Sequence, residues 1–220
     1  NAAYVGRARV RLFQGNTAGA DADAKLVSPG FAFNATYSDA NNRRYNRMYA
    51  SNIKFAFYTV EPASRNITVE GVPDPRVPVA STTINGADRT LIWAQKKWNS
   101  LNDPIRIASY EEAQLIQAEA EYQANAGAAI AIVNALRDKW GIPHYSGATD
   151  AASVKQLIIN ERRAVLWGEG QRNYDYERFN LPFTYAPSGA NFPAKGGTYG
   201  TTTCLPLPDI ERLNNPNIGS

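Results

Sequence analysis

Two glutamates stand where a helix should be apolar. Glu119 lies four residues after Leu115 and three after Ile116, and Glu161 lies seven after Val154 and three after Ile158. Those spacings place both carboxylates on the apolar stripe of their helices. A buried carboxylate is costly unless it is paired and hydrogen-bonded. Arginine is its natural partner, because a planar guanidinium matches a carboxylate edge to edge. Arg106, Arg162, Arg172 and Arg178 are near in sequence, and the run from Glu169 to Asp175 adds more charge. Two chemistries fit such a set. One is a pair of catalytic acids, as in a glycosidase. The other is an internal ion network that fixes how helices cross, built from Glu119, Glu161, Arg162, Glu169, Arg172 and Asp175. The second is favoured: these acids sit mid-helix among aliphatic residues, whereas catalytic acids gather at element ends facing a cleft. No catalytic residue is assigned, and the chain is read as a non-enzyme.

Other chemistries are limited by composition. A single cysteine, Cys204, excludes an intrachain disulfide and any zinc site built from several thiolates. A single histidine, His144, excludes two-histidine metal motifs, and it has no acid or nucleophile beside it in sequence. No metal and no cofactor is expected. Cys204 reads as a small buried side chain. Lys195-Gly196-Gly197-Thr198 lacks the spacing of a phosphate loop. The net charge of +3 is spread over 220 residues without a basic stripe, which argues against nucleic acid. No apolar run approaches the ~18 residues of a membrane span.

Four zones must position these residues. Residues 1–27 carry small residues at helical spacing (Ala3, Gly6, Ala8, then Ala18, Ala22) and predict two short helices meeting at Gly15, like the end of a tetratricopeptide-type stack. Residues 28–104 are rich in Pro, Gly and Asn. Ile53–Val60 reads as a strand, and Val77–Ile84 as another, turned by Asn85-Gly86 toward Leu91–Trp93. Residues 105–179 predict four helices: one capped by Ser109 with Glu112 and stopped by Gly127, one over Ala128–Trp140, one from about Asp150, and one over Arg172–Phe179. Residues 180–220 read as loop with one helical turn over Asp209–Leu213. The whole is expected to be mainly α, as one continuous domain of helix pairs with long ordered loops and a minor β-hairpin. The surplus of 20 asparagines and 24 aromatics (4 Trp, 12 Tyr, 8 Phe) fits loops that carry apolar weight.

Three stretches resemble the C-terminal part of SusD/RagB-type outer-membrane nutrient-binding lipoproteins. The first runs from Ile105-Arg106 through Glu119-Ala120 and on to Asn134-Ala135-Leu136-Arg137 and Gly141-Ile142-Pro143. The second is Glu161-Arg162-Arg163 through Glu169-Gly170-Gln171-Arg172 to Asp175. The third is Leu205-Pro206-Leu207-Pro208 through Asn215-Pro216-Asn217. Asp74-Pro75-Arg76 is similar to a stretch found before the family's C-terminal helices. Val165 departs from the pattern, standing where the family usually has an acid, which implies a missing partner in the ion network.

The resemblance implies a tetratricopeptide-like scaffold on the outer face of the outer membrane. There it would bind an oligosaccharide or other nutrient and deliver it to a SusC-like TonB-dependent channel. It also implies a chain about twice this long with an N-terminal lipid anchor as its only membrane attachment. The first residue is Asn1, so the present chain is expected to be a C-terminal portion. Sugar binding needs aromatic platforms for ring faces and polar groups for hydroxyls. Tyr45, Tyr49, Trp93 and Trp98 in the loop-rich zone are the candidates, with Asn42 and Arg44 as polar partners. A structural or self-assembling extracellular protein on the same scaffold is the alternative.

Overall fold

A computed structural model describes residues 1–182, 197, 198, 200 and 207–216. Contacts divide the chain into a unit of residues 1–185 and a unit of residues 186–220. In the second, the described part holds one short helix, Asp209–Asn214, close to the expected turn. Cys204, the Lys195-Gly196 pair and Leu205-Pro206 lie outside the described residues.

The first unit is built on helix pairs. Helices α1 (Ala2–Phe13) and α2 (Thr17–Ala24) are joined by three residues, so the chain must double back. Gly15 takes φ +76° in that link, where a side chain would be strained. Asn16 then caps α2, its side chain accepting from the Gly19 N–H at 2.9 Å. Val5, Ala8 and Leu12 of α1 and Ala20 and Ala24 of α2 form one apolar cluster with Ala113 and Ile116. The short residues let these helices approach closely.

The loop-rich zone that follows is built of short elements. Strand β1 (Ala32–Ala35) and the one-turn helix α3 (Arg47–Tyr49) come first. The expected strand over Ile53–Val60 is a correction: Ala50–Lys54 forms a π-helical turn instead. Asn52 is the reason. It is buried, and its amide donates to the Tyr58 and Trp93 carbonyls at 2.9 and 3.1 Å while its oxygen accepts from Gln95 N–H at 2.9 Å. A side chain that serves three backbone groups replaces a strand ladder. Hairpin β2 (Thr68–Val69) and β3 (Val72–Pro73) turns through Glu70 and Gly71, both at positive φ. Strands β4 (Val79–Asn85) and β5 (Leu91–Gln95) pair antiparallel as expected. Their turn extends beyond Asn85-Gly86, with Arg89 at φ 63°.

Strand β6 (Ile105–Ser109) pairs antiparallel with β1, Ala32 opposite Ser109 and Ala35 opposite Ile105. This pairing spans about seventy residues and carries no local sequence signal. It returns the chain to the helices. Ser109 caps α4 (Tyr110–Glu121), accepting from Glu112 N–H at 3.1 Å. Asn125, not Gly127, sets the next boundary. Its side chain caps α5 (Ala126–Asp138), and Gly127 lies inside the first turn of that helix. Asp150 caps α6 (Ala151–Val165) through Ala152 and Ser153 N–H, and α7 runs Arg172–Phe179 as expected. Helix α4 packs on α1, α2, α5 and α6. Ala118, Ala129, Val133, Val154, Leu157 and Ile158 form a second cluster, and Leu115, Leu136, Val165 and Leu166 a third. Val165 therefore fills the acid's expected place with apolar packing.

Candidate functional site

The charged residues expected on apolar faces are buried and paired, but in three separate groups. In the first, Glu161 is 1% exposed. Its Oε1 accepts from Arg137 Nε and Nη2 at 2.9 and 2.7 Å, and its Oε2 from Arg76 Nη1. Arg76 also holds Asp74 (2.9 and 2.8 Å), and Arg137 also holds Glu70 at 3.0 Å and the Pro143 carbonyl at 3.1 Å. Burial works against the Arg76 charge, yet the bonds and charges of Asp74 and Glu161 outweigh it and hold its pKa above the ordinary value. Arg76, reached through the Asp74-Pro75 turn, thus ties the loop zone to α6.

In the second group Glu119, 8% exposed, accepts from both Nη atoms of Arg178. Asp175 accepts from Arg162 Nε at 2.8 Å and Arg178 Nη2 at 3.1 Å. Arg162 Nη1 stands 3.8 Å from Glu119 and makes no hydrogen bond. In the third, Glu169 binds Lys97 at 2.6 Å and Arg106 at 2.8 Å. Burial pushes the Lys97 ammonium down, more than Glu169 raises it. Arg172 is a correction to the expected network. Among the described residues it forms no ion pair; its guanidinium lies 4.7 Å from the Tyr176 ring centroid, with Nη1 buried and unbonded. Each acid of these groups is engaged by a cation, and Glu161 and Glu119 belong to different groups. That is the geometry of a scaffold and not of two acids flanking a bond.

Two of the loop-zone aromatics lie against a cation. Lys54 Nζ sits 4.8 Å from the Tyr45 ring centroid, and Arg65 sits 4.8 Å from that of Trp93. Tyr49 is half-buried, on α3, whose cap Asn46 is buried and donates to the Asp103 carbonyl at 2.7 Å. Asn42 and Arg44 are exposed, and the Asn42 carbonyl accepts from Arg47 at 2.6 Å. Trp98 is a correction as a ligand platform. It is 4% exposed, donates to the Pro104 carbonyl at 3.0 Å, and packs against Gly168. His144 is exposed but has an acid partner that sequence reading missed, Asp138 at 2.8 Å.

Two clefts of ligand size open beside these groups. One, of about 620 Å³, lies between α1 and the α6–α7 corner, with Val10, Phe13, Ile116 and Tyr174 on its walls. Phe13 and Tyr174 meet edge to face at 6.3 Å. The other, of about 520 Å³, lies between the β2–β3 turn and α6. Glu70, Tyr145, Gln156, Asn160 and Arg163 line it. Sequence reading missed all five. The available signals were the Glu70-Gly71 turn and the polar pair Gln156 and Asn160, one helical turn apart. Among the described residues no group of three or more His, Cys, Asp or Glu could hold a metal ion. No described helix is long and apolar enough to cross a membrane.

A family model described as the SusD family matches residues 27–203. A SusD-like carbohydrate binding protein from Bacteroides vulgatus ATCC 8482 superposes with a TM-score of 0.67 at 20% identity, over 96% of this chain and 57% of its own. A SusD-like protein from Bacteroides fragilis NCTC 9343 gives 0.54 at 16% identity, over 81% and 54%. The chain thus spans a little over half the length of either structure. No curated protein matches it.

Proposed function

The chain belongs to the SusD family, and from that premise we propose that it binds an oligosaccharide or other nutrient at the cell surface and passes it to a SusC-like TonB-dependent channel. The observation that carries the reading is the superposition over 96% of the chain on a SusD-like carbohydrate binding protein. The chemistry of the residues is consistent with it. Catalysis is not part of the reading, because the buried acids are bound to arginines. What remains at the surface is suited to recognition: aromatic rings and amides on loops that the ion pairs pin to the helices. Tyr45, Tyr49 and Trp93, with Asn42 and Arg44, are the proposed loop contacts. Attachment to the outer membrane would be through a lipid anchor, as in the family.

The test is calorimetric titration of the protein with α- and β-linked gluco-, manno- and xylo-oligosaccharides, followed by capture of a co-expressed channel. Binding that falls on Trp93→Ala with an unchanged melting temperature supports the loop contacts. No heat with any oligosaccharide, together with ordered self-assembly, would instead favour the structural alternative.

A further inference from the structure

The cleft between the β2–β3 turn and α6 has its own recognition chemistry, apart from the loop aromatics. Its volume of about 520 Å³ falls within the range of small-molecule sites. The lining charges are three acids (Glu70, Asp74, Glu161) against three arginines (Arg76, Arg137, Arg163). A cleft that balances its own charge offers no net attraction to an ion, which favours an uncharged ligand.

The polar groups left available are the kind that hydroxyls satisfy. Gln156 spends an amide hydrogen on Asn160 Oδ1 at 3.0 Å. That leaves the Gln156 carbonyl and the Asn160 NH2 open to a ligand, and both residues are exposed. Arg163 gives Nη2 to the Ala63 carbonyl and keeps its other donors. Glu70 accepts from Arg137 at 3.0 Å and Ser146 at 2.9 Å, one bond to each oxygen, so each keeps a lone pair. Burial opposes its charge, but Arg137 and Ser146 hold its carboxyl below the usual range, so it remains an acceptor at neutral pH.

One wall is aromatic. Tyr145 is half-buried against the second apolar cluster, with Arg137 6.0 Å from its ring centroid. Its hydroxyl is engaged by the Ala148 carbonyl at 2.9 Å and its N–H by Asn134 at 2.9 Å, so the ring is held in place. A fixed ring beside converging amide, guanidinium and carboxylate groups matches a sugar, apolar on its faces and hydroxylated at its edges.

We propose that this cleft is a binding seat for a neutral saccharide, with Tyr145 as platform and Glu70, Gln156, Asn160 and Arg163 as hydroxyl partners. The proposal rests on the carbohydrate reading above but places a contact outside the loop aromatics.

The test uses the full chain, the same neutral oligosaccharides and one acidic probe, an oligogalacturonide. Gln156→Ala with Asn160→Ala is the main variant. Both positions are exposed on a helix, where alanine is well tolerated, so the melting temperature should hold. Two lost hydrogen bonds should weaken binding of the neutral ligand roughly ten-fold. Unchanged affinity of the double variant for every oligosaccharide that the wild type binds overturns the seat and leaves carbohydrate binding by the chain standing. Preference for the oligogalacturonide overturns the neutral ligand. No binding of any probe by the wild type overturns both this site and the carbohydrate reading.

Discussion

Replacing Glu161 with glutamine removes the charge that Arg76 and Arg137 share. The substitution is nearly isosteric, so packing is conserved and the effect is electrostatic. In the wild type the carboxylate accepts three N–H groups, two from Arg137 and one from Arg76, at 1% exposure. A glutamine keeps one acceptor oxygen and turns an NH2 toward the other guanidinium, donor against donor. Breaking a buried pair on one side costs about 3–5 kcal/mol. Neither arginine is stranded, because Arg76 keeps Asp74 and Arg137 keeps Glu70 and the Pro143 carbonyl. The lower end, about 3 kcal/mol, is therefore expected. For a chain of this size that lowers the melting temperature by roughly 6–12 °C. Differential scanning calorimetry and urea unfolding of wild type and Glu161→Gln measure it. A variant that melts with the wild type would refute the structural role. Loss of a glycoside-hydrolysing activity at unchanged stability would reinstate a catalytic one.

Three further outcomes follow from single contacts. Gly168 has φ +73°, and an added Cβ would stand 2.9 Å from Trp98 Cη2; Gly168→Ala should destabilise by more than about 1 kcal/mol, read in the same melts, with Trp98 fluorescence reporting the displaced indole. Ser109→Ala removes the cap of α4 and should cost about 1 kcal/mol by urea unfolding. Burial raises the Tyr58 phenol from 10.0 to about 12. The unfolded chain then loses its proton first, so the stability linked to Tyr58 is intact below pH 10 and declines between pH 10 and about 12. Alkaline melts of wild type against Tyr58→Phe test it: the variant should lack that part of the decline.

What was legible in the sequence was whatever acts over short distances. The cap Ser109, the helix start near Asp150, the helix Arg172–Phe179 and the hairpin near Asn85-Gly86 all rest on signals within a few residues. The buried acids were legible because a charge breaks an apolar period. Their partners were only half legible. Arg76 and Arg137 reach Glu161 from 85 and 24 residues away, and local spacing says nothing of such distances. Arg172, near in sequence, was assigned to the network on proximity alone. The strand expected at Ile53–Val60 failed for a related reason: its aromatic and β-branched residues favour a strand, but Asn52 binds the backbone with its side chain. Trp98 looked available because loops are generally exposed. Here the loop folds back, and the indole becomes core.

The ion groups explain how a zone so poor in regular structure can be ordered at all. Closing long loops costs conformational entropy, and the apolar clusters lie mainly among helices. The loops are instead pinned by cations: Arg76 to α6, Lys97 and Arg106 to the Glu169 turn. Such pins fix position more than they add stability, because the charges must first be desolvated. Lys97 is the case in point. Burial depresses its ammonium despite Glu169, so the fold disfavours its charged form. Stability should rise as pH climbs through its folded value toward the ordinary 10.5. Lys97→Met should therefore leave neutral-pH stability unchanged or slightly higher and abolish that alkaline gain, Glu169 retaining Arg106. The loss should appear in position instead. Lys97 also donates to the Trp167 carbonyl at 2.8 Å, and without it the 97–104 segment should exchange its amide hydrogens faster. A variant that is plainly destabilised at neutral pH, with exchange unchanged, would mean that the pins supply stability and not placement.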